Sequence, residues 1–260
     1  MTNANKDIRI IQISDCHFSS DGHQQWFGRN PEKHLDLVID SINKNEPEDS
    51  IVLATGDLSH DGSEKSYKKL FQNFSNFNKA VYTLAGNHDD STYMDKYLNQ
   101  QQISTVPYFS QGNWLVLMLN TQVQGQEHGL ISKQQMQHIK ETLDNHKDKY
   151  TLIAMHHPSL KINCAWIDKI NLLNADTFID FIANYTNIKA VTYGHVHQDY
   201  TTVINDVDHF TCPSTCHQYL PHSNDFATDS IEAGYRWFDL KYDGKINSGV
   251  VRVANINNDT

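Results

Sequence analysis

Apolar positions along the chain fall into short β-branched runs that alternate with stretches of helical spacing. Residues 8–14 (IRIIQIS) predict a strand, and residues 34–45 predict a helix with Leu35, Val38, Ile39 and Ile42 on one face. Residues 50–55 and 81–85 predict two further strands. Between them, residues 65–77 carry Leu70, Phe71, Phe74 and Phe77 at helical spacing, which marks a core face and not a stacking platform. A strand over 114–119 follows, then Ser132 with Gln135, a capping-box arrangement ahead of a helix to about residue 145. Strands over 150–155 and 188–193 flank a helix over 177–185. Past that point the helical signal fades, and 200–204, 237–242 and 246–253 predict antiparallel strands, with turns at Asp206 and Asp243-Gly244. No repeat or linker composition interrupts the pattern. The expectation is a single α/β domain over residues 1–260, with mixed sheets and outer helices.

Polar residues stand directly after five of these strands: Asp15-x-His17, Gly56-Asp57, Gly86-Asn87-His88-Asp89, His156-His157-Pro158 and Gly194-His195-x-His197. Open α/β sheets bind ligands at this rim, so residues spread over most of the chain are predicted to converge. Each cluster alone reads as ordinary loop polarity. All five in one order, each at a strand end, do not.

Composition narrows what such a convergence can serve. With 38% hydrophobic residues among 260, the chain can bury a core, and its apolar runs are strand-sized, below the ~20 residues of a membrane span. The net charge of −10 argues against long nucleic acid as a partner. Bound cations can still invert the local sign for a small phosphate ester. Cys16, Cys164, Cys212 and Cys216 have neither zinc-knuckle nor redox spacing and read as reduced thiols. The short polar start at residues 1–7 shows no leader pattern, which predicts a cytoplasmic location.

Imidazole, carboxylate and amide donors without a thiolate cluster suit divalent transition metals. Seven such donors exceed the needs of one tetrahedral ion, and Asp57, central in the order, is the natural bridge between two. Two metals ~3.5–4 Å apart can hold the attacking and leaving oxygens of an in-line phosphoryl displacement.

The five clusters resemble the D-x-H, G-D, G-N-H-D/E, H and G-H-x-H motifs of the calcineurin-like metallophosphoesterases, over residues 8–197. That resemblance implies a four-layer αββα sandwich with mixed β-sheets and a dimetal site at the strand carboxyl ends. It assigns Asp15, His17, Asp57 and His197 to one ion, and Asp57, Asn87, His156 and His195 to the other. It makes His88 the catalytic histidine and His17, Asp57, Asn87, His88 and His195 the residues that meet substrate. The first His of H-H-P is taken as ligand, with His157 behind it, and His60 as a supporting or solvent-facing residue. The implied cofactors are two divalent ions, Fe and Mn foremost, Zn or Co as alternatives. The Arg-bearing motif of protein Ser/Thr phosphatases is missing after Asp57, and His60 stands where purple acid phosphatases place a tyrosine.

Residues 129–132, Cys164-Ala165-Trp166 and the stretch from Cys212 to Gln218 resemble the bacterial class III 3′,5′-cyclic AMP phosphodiesterases. The implied reaction is hydrolysis of 3′,5′-cyclic AMP to 5′-AMP by a hydroxide bridging two metals. A small cyclic nucleotide is then the partner, and oligomeric state is left open. A phosphodiesterase acting on 2′,3′-cyclic nucleotides or glycerophosphodiesters would share the metal chemistry. A non-catalytic scaffold could dispense with ligands, and none of the seven is missing here. Trp26, Phe27, Trp166 and Tyr219 are candidates either to line the cleft or to anchor loops. His34, His138 and His146 are expected to be exposed or capping.

Overall fold

The computed structural model describes residues 6–254. Two six-stranded mixed sheets face each other. The first contains β1 (Ile8–Ile13), β2 (Ile51–Thr55), β3 (Ala80–Leu84), β4 (Ile103–Ser104), β13 (Gly234–Leu240) and β14 (Ile246–Arg252), in the order β14-β13-β1-β2-β3-β4. The second runs β5-β6-β7-β8-β10-β9: β5 (Tyr108–Gln111), β6 (Trp114–Leu119), β7 (Tyr150–Met155), β8 (Ile188–Tyr193), β9 (Thr201–Ile204) and β10 (Val207–Thr211). A short ribbon, β11 (Gln218–Tyr219) with β12 (Thr228–Asp229), lies outside both. β1, β2 and β3 pair in parallel, as do β6, β7 and β8, so the chemistry-bearing strand ends of each sheet point one way.

Alternation along the strands builds the layers. Ile11 and Ile13 of β1 pack outward against Leu35, Val38 and Ile39 of helix α1 (Pro31–Asn45) and Leu70 and Phe74 of α2 (Glu64–Phe74). Ile8 and Ile10 point the other way, into a core shared with Trp114, Val116, Leu152 and Ala154 of the second sheet. That sheet's outer face packs Leu117, Ile153 and Val191 on Ile139 and Leu143 of α4 (Lys133–Asn145) and Phe178 and Ile182 of α5 (Ala175–Ile182). Helix, sheet, sheet, helix is the layering that the resemblance implies.

Local chemistry moved several expected boundaries. α2 stops at Phe74 and not at residue 77, because Asn76 and Phe77 donate to carbonyls only three residues back and Ser75 Oγ ties to the Phe71 carbonyl. Phe77 is buried all the same. Ser132 caps α4 by accepting from Gln135 N at 3.1 Å, but the Gln135 amide donates to Asn120 O, so the reciprocal half of the capping box is not made. His34, expected at the surface or as a cap, is buried in α1 with Nδ1 donating to Asn30 O. Helix α3 (Ser91–Tyr97), capped by Asp90, and strands β4, β5 and β10 went unpredicted; most are too short to show a period.

One inward polar residue locks the sheets together beneath the strand ends. Gln12 of β1 is fully buried and donates to Thr55 Oγ1 at 2.8 Å and to the Tyr193 carbonyl, in the opposite sheet, at 3.1 Å; Thr192 donates back to it. A buried amide with its bonds satisfied fixes register where a purely apolar contact would tolerate sliding.

Candidate metal centre

The five polar clusters meet at one rim of the sandwich, three from the first sheet and two from the second. The backbone is bent to bring them there. Asp15, His17, Asp57, His195 and His197 all adopt positive φ, between 45° and 70°. Such conformations cost non-glycine residues on the order of 1–3 kcal/mol each and persist where surrounding contacts enforce them. Here Asp15 N donates to Gly56 O, His17 N to Asp57 O, and His195 N to the Asp15 carboxylate at 3.0 Å. Two glycines are set by close approach: a Cβ on Gly86 would overlap Asp57 Oδ1, and one on Gly194 would overlap Ser14 Oγ and crowd the Thr55 carbonyl.

Seven sequence-predicted donors come together. His197 Nε2 lies 3.3 Å from Asp15 Oδ1 and 3.1 Å from His17 Nε2, which is itself 3.9 Å from Asp57 Oδ2. On the other side of Asp57, His156 Nε2 lies 3.4 Å from Oδ1, 3.2 Å from Asn87 Oδ1 and 3.3 Å from His195 Nδ1. Asp57 therefore faces both groups. His88 N donates to its Oδ1 at 2.9 Å, while the His88 ring donates from Nδ1 to His60 O at 3.1 Å.

Hydrogen-bond accounting shows what these separations mean. The Nδ1 atoms of His156 and His197 face the carbonyls of Thr55 and His217 at 2.9 and 2.8 Å, and a carbonyl only accepts, so both rings carry their proton there. Nε2 of each is left for the centre of the cluster, and His195 Nε2 is buried with no hydrogen-bond partner among the described residues. Where His17 and His197 both present unprotonated Nε2, as ligation requires, their lone pairs across 3.1 Å repel unless a cation lies between them. Donors about 2.1 Å from a shared ion stand about 3.0 Å apart at right angles and about 3.4 Å apart in a tetrahedron, which spans these separations except the 3.9 Å between His17 and Asp57. The residues fit divalent metal. Asp15, His17 and Asp57 form one group able to hold an ion, and His156 and His195 belong to another that includes His157.

Electrostatics agree with that fit. Burial would raise the Asp57 pKa, but His156, His88 and His17 outweigh it and hold the carboxyl well below its ordinary range. Burial would likewise lower His156, yet the Asp57 charge and hydrogen bond carry it up to about 9. A proton on His156 thus occupies the position a cation would take. Burial keeps His17 and His195 well below the ordinary histidine value, hence neutral and ready to ligate.

The supporting residues are now visible. His157 is spent on the scaffold: Nδ1 meets Thr121 Oγ1 at 2.7 Å and Nε2 donates to the Glu127 carbonyl at 3.2 Å. His60 faces His17 Nδ1 at 3.2 Å, stacks on His88 and packs at a tilt against Trp26, whose indole donates to His17 O. Asp89 had no assigned role. It accepts from Ser59 N, Gly86 N, Leu58 N and the Tyr67 hydroxyl, stapling the loops after β2 and β3; burial and the Asp57 charge lift it to about 6. Its place at the end of Gly86-Asn87-His88-Asp89 was the available signal. Gln12 offered a weaker one, a lone polar residue at an inward strand position. All four cysteines are free and buried. No helix among the described residues is long and apolar enough to cross a membrane.

Comparison with known proteins gives a consistent picture. A sequence model of the family described as calcineurin-like phosphoesterase matches residues 8–199. The chain is 35% identical over 247 residues, covering 95% of it and 90% of the relative, to the 3′,5′-cyclic adenosine monophosphate phosphodiesterase CpdA of Haemophilus influenzae. It is 34% identical to a 3′,5′-cyclic-nucleotide phosphodiesterase of a Nostoc species, covering 95% of this chain and 92% of the relative. Its fold is similar to that of a dimetal phosphatase from Danio rerio, with a TM-score of 0.60, 15% identity, and coverage of 95% of this chain and 99% of that one.

Proposed function

Because the chain belongs to the calcineurin-like phosphoesterase family, we propose that it is a metal-dependent phosphodiesterase that opens 3′,5′-cyclic AMP to 5′-AMP. The observation that carries this reading is the convergence of seven complementary donors, with Asp57 between His17 and His156, in a chain similar over nearly its full length to cyclic-nucleotide phosphodiesterases. Asp15, His17, Asp57 and His197 would hold one divalent ion, and Asp57, Asn87, His156 and His195 the other. When bound, such a pair supplies Lewis acidity toward phosphoryl oxygens and acidifies water near neutral pH.

The protein's own groups supply the rest. Asp15 and Asp57 bring −2 against +4 from two divalent ions, so the site is locally positive within a chain of net charge −10 and attracts a phosphodiester anion. Asn87 and His88 are half-buried at the opening, where they can meet its phosphoryl oxygens. Fixed through Nδ1 on the His60 carbonyl, the His88 ring keeps Nε2 free of that bond. Water adds its oxygen to phosphorus and releases a proton, the bond to the 3′ oxygen breaks, and a His88 ring protonated on both nitrogens would give that oxygen a proton from Nε2, the water's proton restoring the charge. General-acid help of this kind contributes ~10²–10⁴-fold.

An aromatic wall beside the same cleft supports a nucleotide over a generic diester. Tyr219 stacks on His197 at 4.0 Å, Trp166 and Phe226 pack edge-on around Tyr219, and Phe27 bridges Phe226 and His217. Phe27 and Phe226 remain 56% and 50% exposed, apolar rings waiting beside a polar centre. Base stacking on an aromatic is worth ~1–3 kcal/mol, so Phe27→Ala with Phe226→Ala should raise KM for cyclic AMP about 5- to 100-fold. Turnover of methyl p-nitrophenyl phosphate, which has no base, is the control. Equal losses on both substrates would give the wall a folding role and remove this support for a nucleotide.

A further inference from the structure

One more imidazole lies in this cleft that the seven-donor arrangement does not use. His217 follows Cys216 at the entrance to β11 and is only 4% exposed. Its Nδ1 is buried with no hydrogen-bond partner among the described residues. A buried polar atom left unsatisfied is costly, so the fold is expected to give it a use. Two sides of the ring are closed by the apolar rings of Phe27 and Tyr219, at 5.0 and 5.4 Å between centroids. The others face His197 at 4.6 Å and His17 at 5.4 Å. Ring nitrogens of His17, His197 and His217 lie within 4.8 Å of one another, the same spacing that groups Asp15, His17 and Asp57. The main chain agrees: the His217 carbonyl takes the Nδ1 proton of His197 at 2.8 Å, so one residue both sets that ligand's tautomer and brings its own ring alongside.

We propose that His217 is an eighth donor, a third imidazole for the ion held by Asp15, His17, Asp57 and His197. The inference rests on the dimetal reading above and deepens it. It makes the two positions unequal. Five protein donors at this one leave little room for water, while four at the other leave more for substrate. Three imidazoles also shift this position's preference toward the later first-row metals, relative to Mn, along the Irving–Williams order.

The test is metal binding, read without turnover. Metal-stripped protein is titrated with Mn²⁺ and with Co²⁺ by calorimetry, and bound metal is counted after gel filtration. Two variants are compared with the parent: His217→Leu, which fills the space without a donor, and His217→Asn, whose amide oxygen can ligate. The expected result is two ions per parent chain. In His217→Leu one step weakens at least about tenfold while the other is unchanged, with partial recovery in His217→Asn, since even outer residues of a metal site shift affinity 10–100-fold. Unchanged binding in His217→Leu overturns the proposal and leaves the phosphodiesterase reading standing. Parallel weakening of both steps, with a lowered melting temperature of the metal-free variant, assigns His217 to packing and overturns it too. A parent chain that binds no divalent ion would instead sink the dimetal reading itself.

Discussion

Replacing Asp57 by Asn keeps the shape of the side chain and removes the one charge that faces both halves of the centre. Its two oxygens lie 3.4 Å from His156 Nε2 and 3.9 Å from His17 Nε2. Taking one partner from a buried charged pair costs ~3–5 kcal/mol, which corresponds to ~10²–10⁴-fold in binding. Both metal-binding steps should fall by that factor together, because the carboxylate is shared. The metal-free protein gives an independent reading. His156 titrates near 9 because Asp57 overcomes the effect of burial. With that charge gone, burial prevails, and the histidine should drop below its ordinary value of ~6.5. Calorimetry with Mn²⁺ measures the first effect, and the pH dependence of the His156 ring resonances measures the second. Retention of two ions at parental affinity, or weakening of one step alone, would refute the bridging role.

Four further outcomes follow from the same geometry. His88→Ala should keep two ions, because its ring touches no ligand side chain as a donor, yet lose ~10²–10⁴-fold in kcat; loss of metal instead would move His88 among the ligands. His156→Ala should abolish binding at one position, whereas His157→Ala, which breaks contacts to Thr121 and the Glu127 carbonyl, should lower the melting temperature while metal counts stay at two. Metal affinity should rise about tenfold per pH unit between roughly 6 and 9, since loading displaces the proton on His156, and flatten above that value; a flat profile across this range would contradict the proton's place in the site. Without metal the sign reverses. His156 is raised above its unfolded value, so its contribution to stability is fully present below ~6.5 and is lost as pH rises through about 9, visible as a falling melting temperature.

The strands that carry chemistry were legible because each ends its apolar run on a polar motif at the same rim, which is why Asp15, Asp57, Asn87, His156 and His195 could be gathered from positions 180 residues apart. Helix faces were legible where three or four apolar residues repeated, as in α1. α3, with Met94 as its single buried residue, gave no such period. Supporting groups were harder to see. Gln12 and Asp89 act through bonds to backbone atoms of other elements, and those partners exist only once the sheets are stacked. His217 lies in the Cys212–Gln218 stretch that the sequence singled out, but its closeness to His17 and His197 could not be read there, because no fixed spacing links the three.

The central claim is tested most directly by one turnover experiment with product identification. Chain reconstituted with two equivalents of Mn²⁺, and the same preparation stripped by chelation, are each given 3′,5′-cyclic AMP, and the products are separated by chromatography. The expected result is 5′-AMP from the loaded protein, none from the stripped protein, and recovery when metal is returned. Loaded protein that carries two ions, cleaves methyl p-nitrophenyl phosphate and leaves cyclic AMP intact would contradict the substrate. Hydrolysis that survives complete removal of metal would contradict the mechanism.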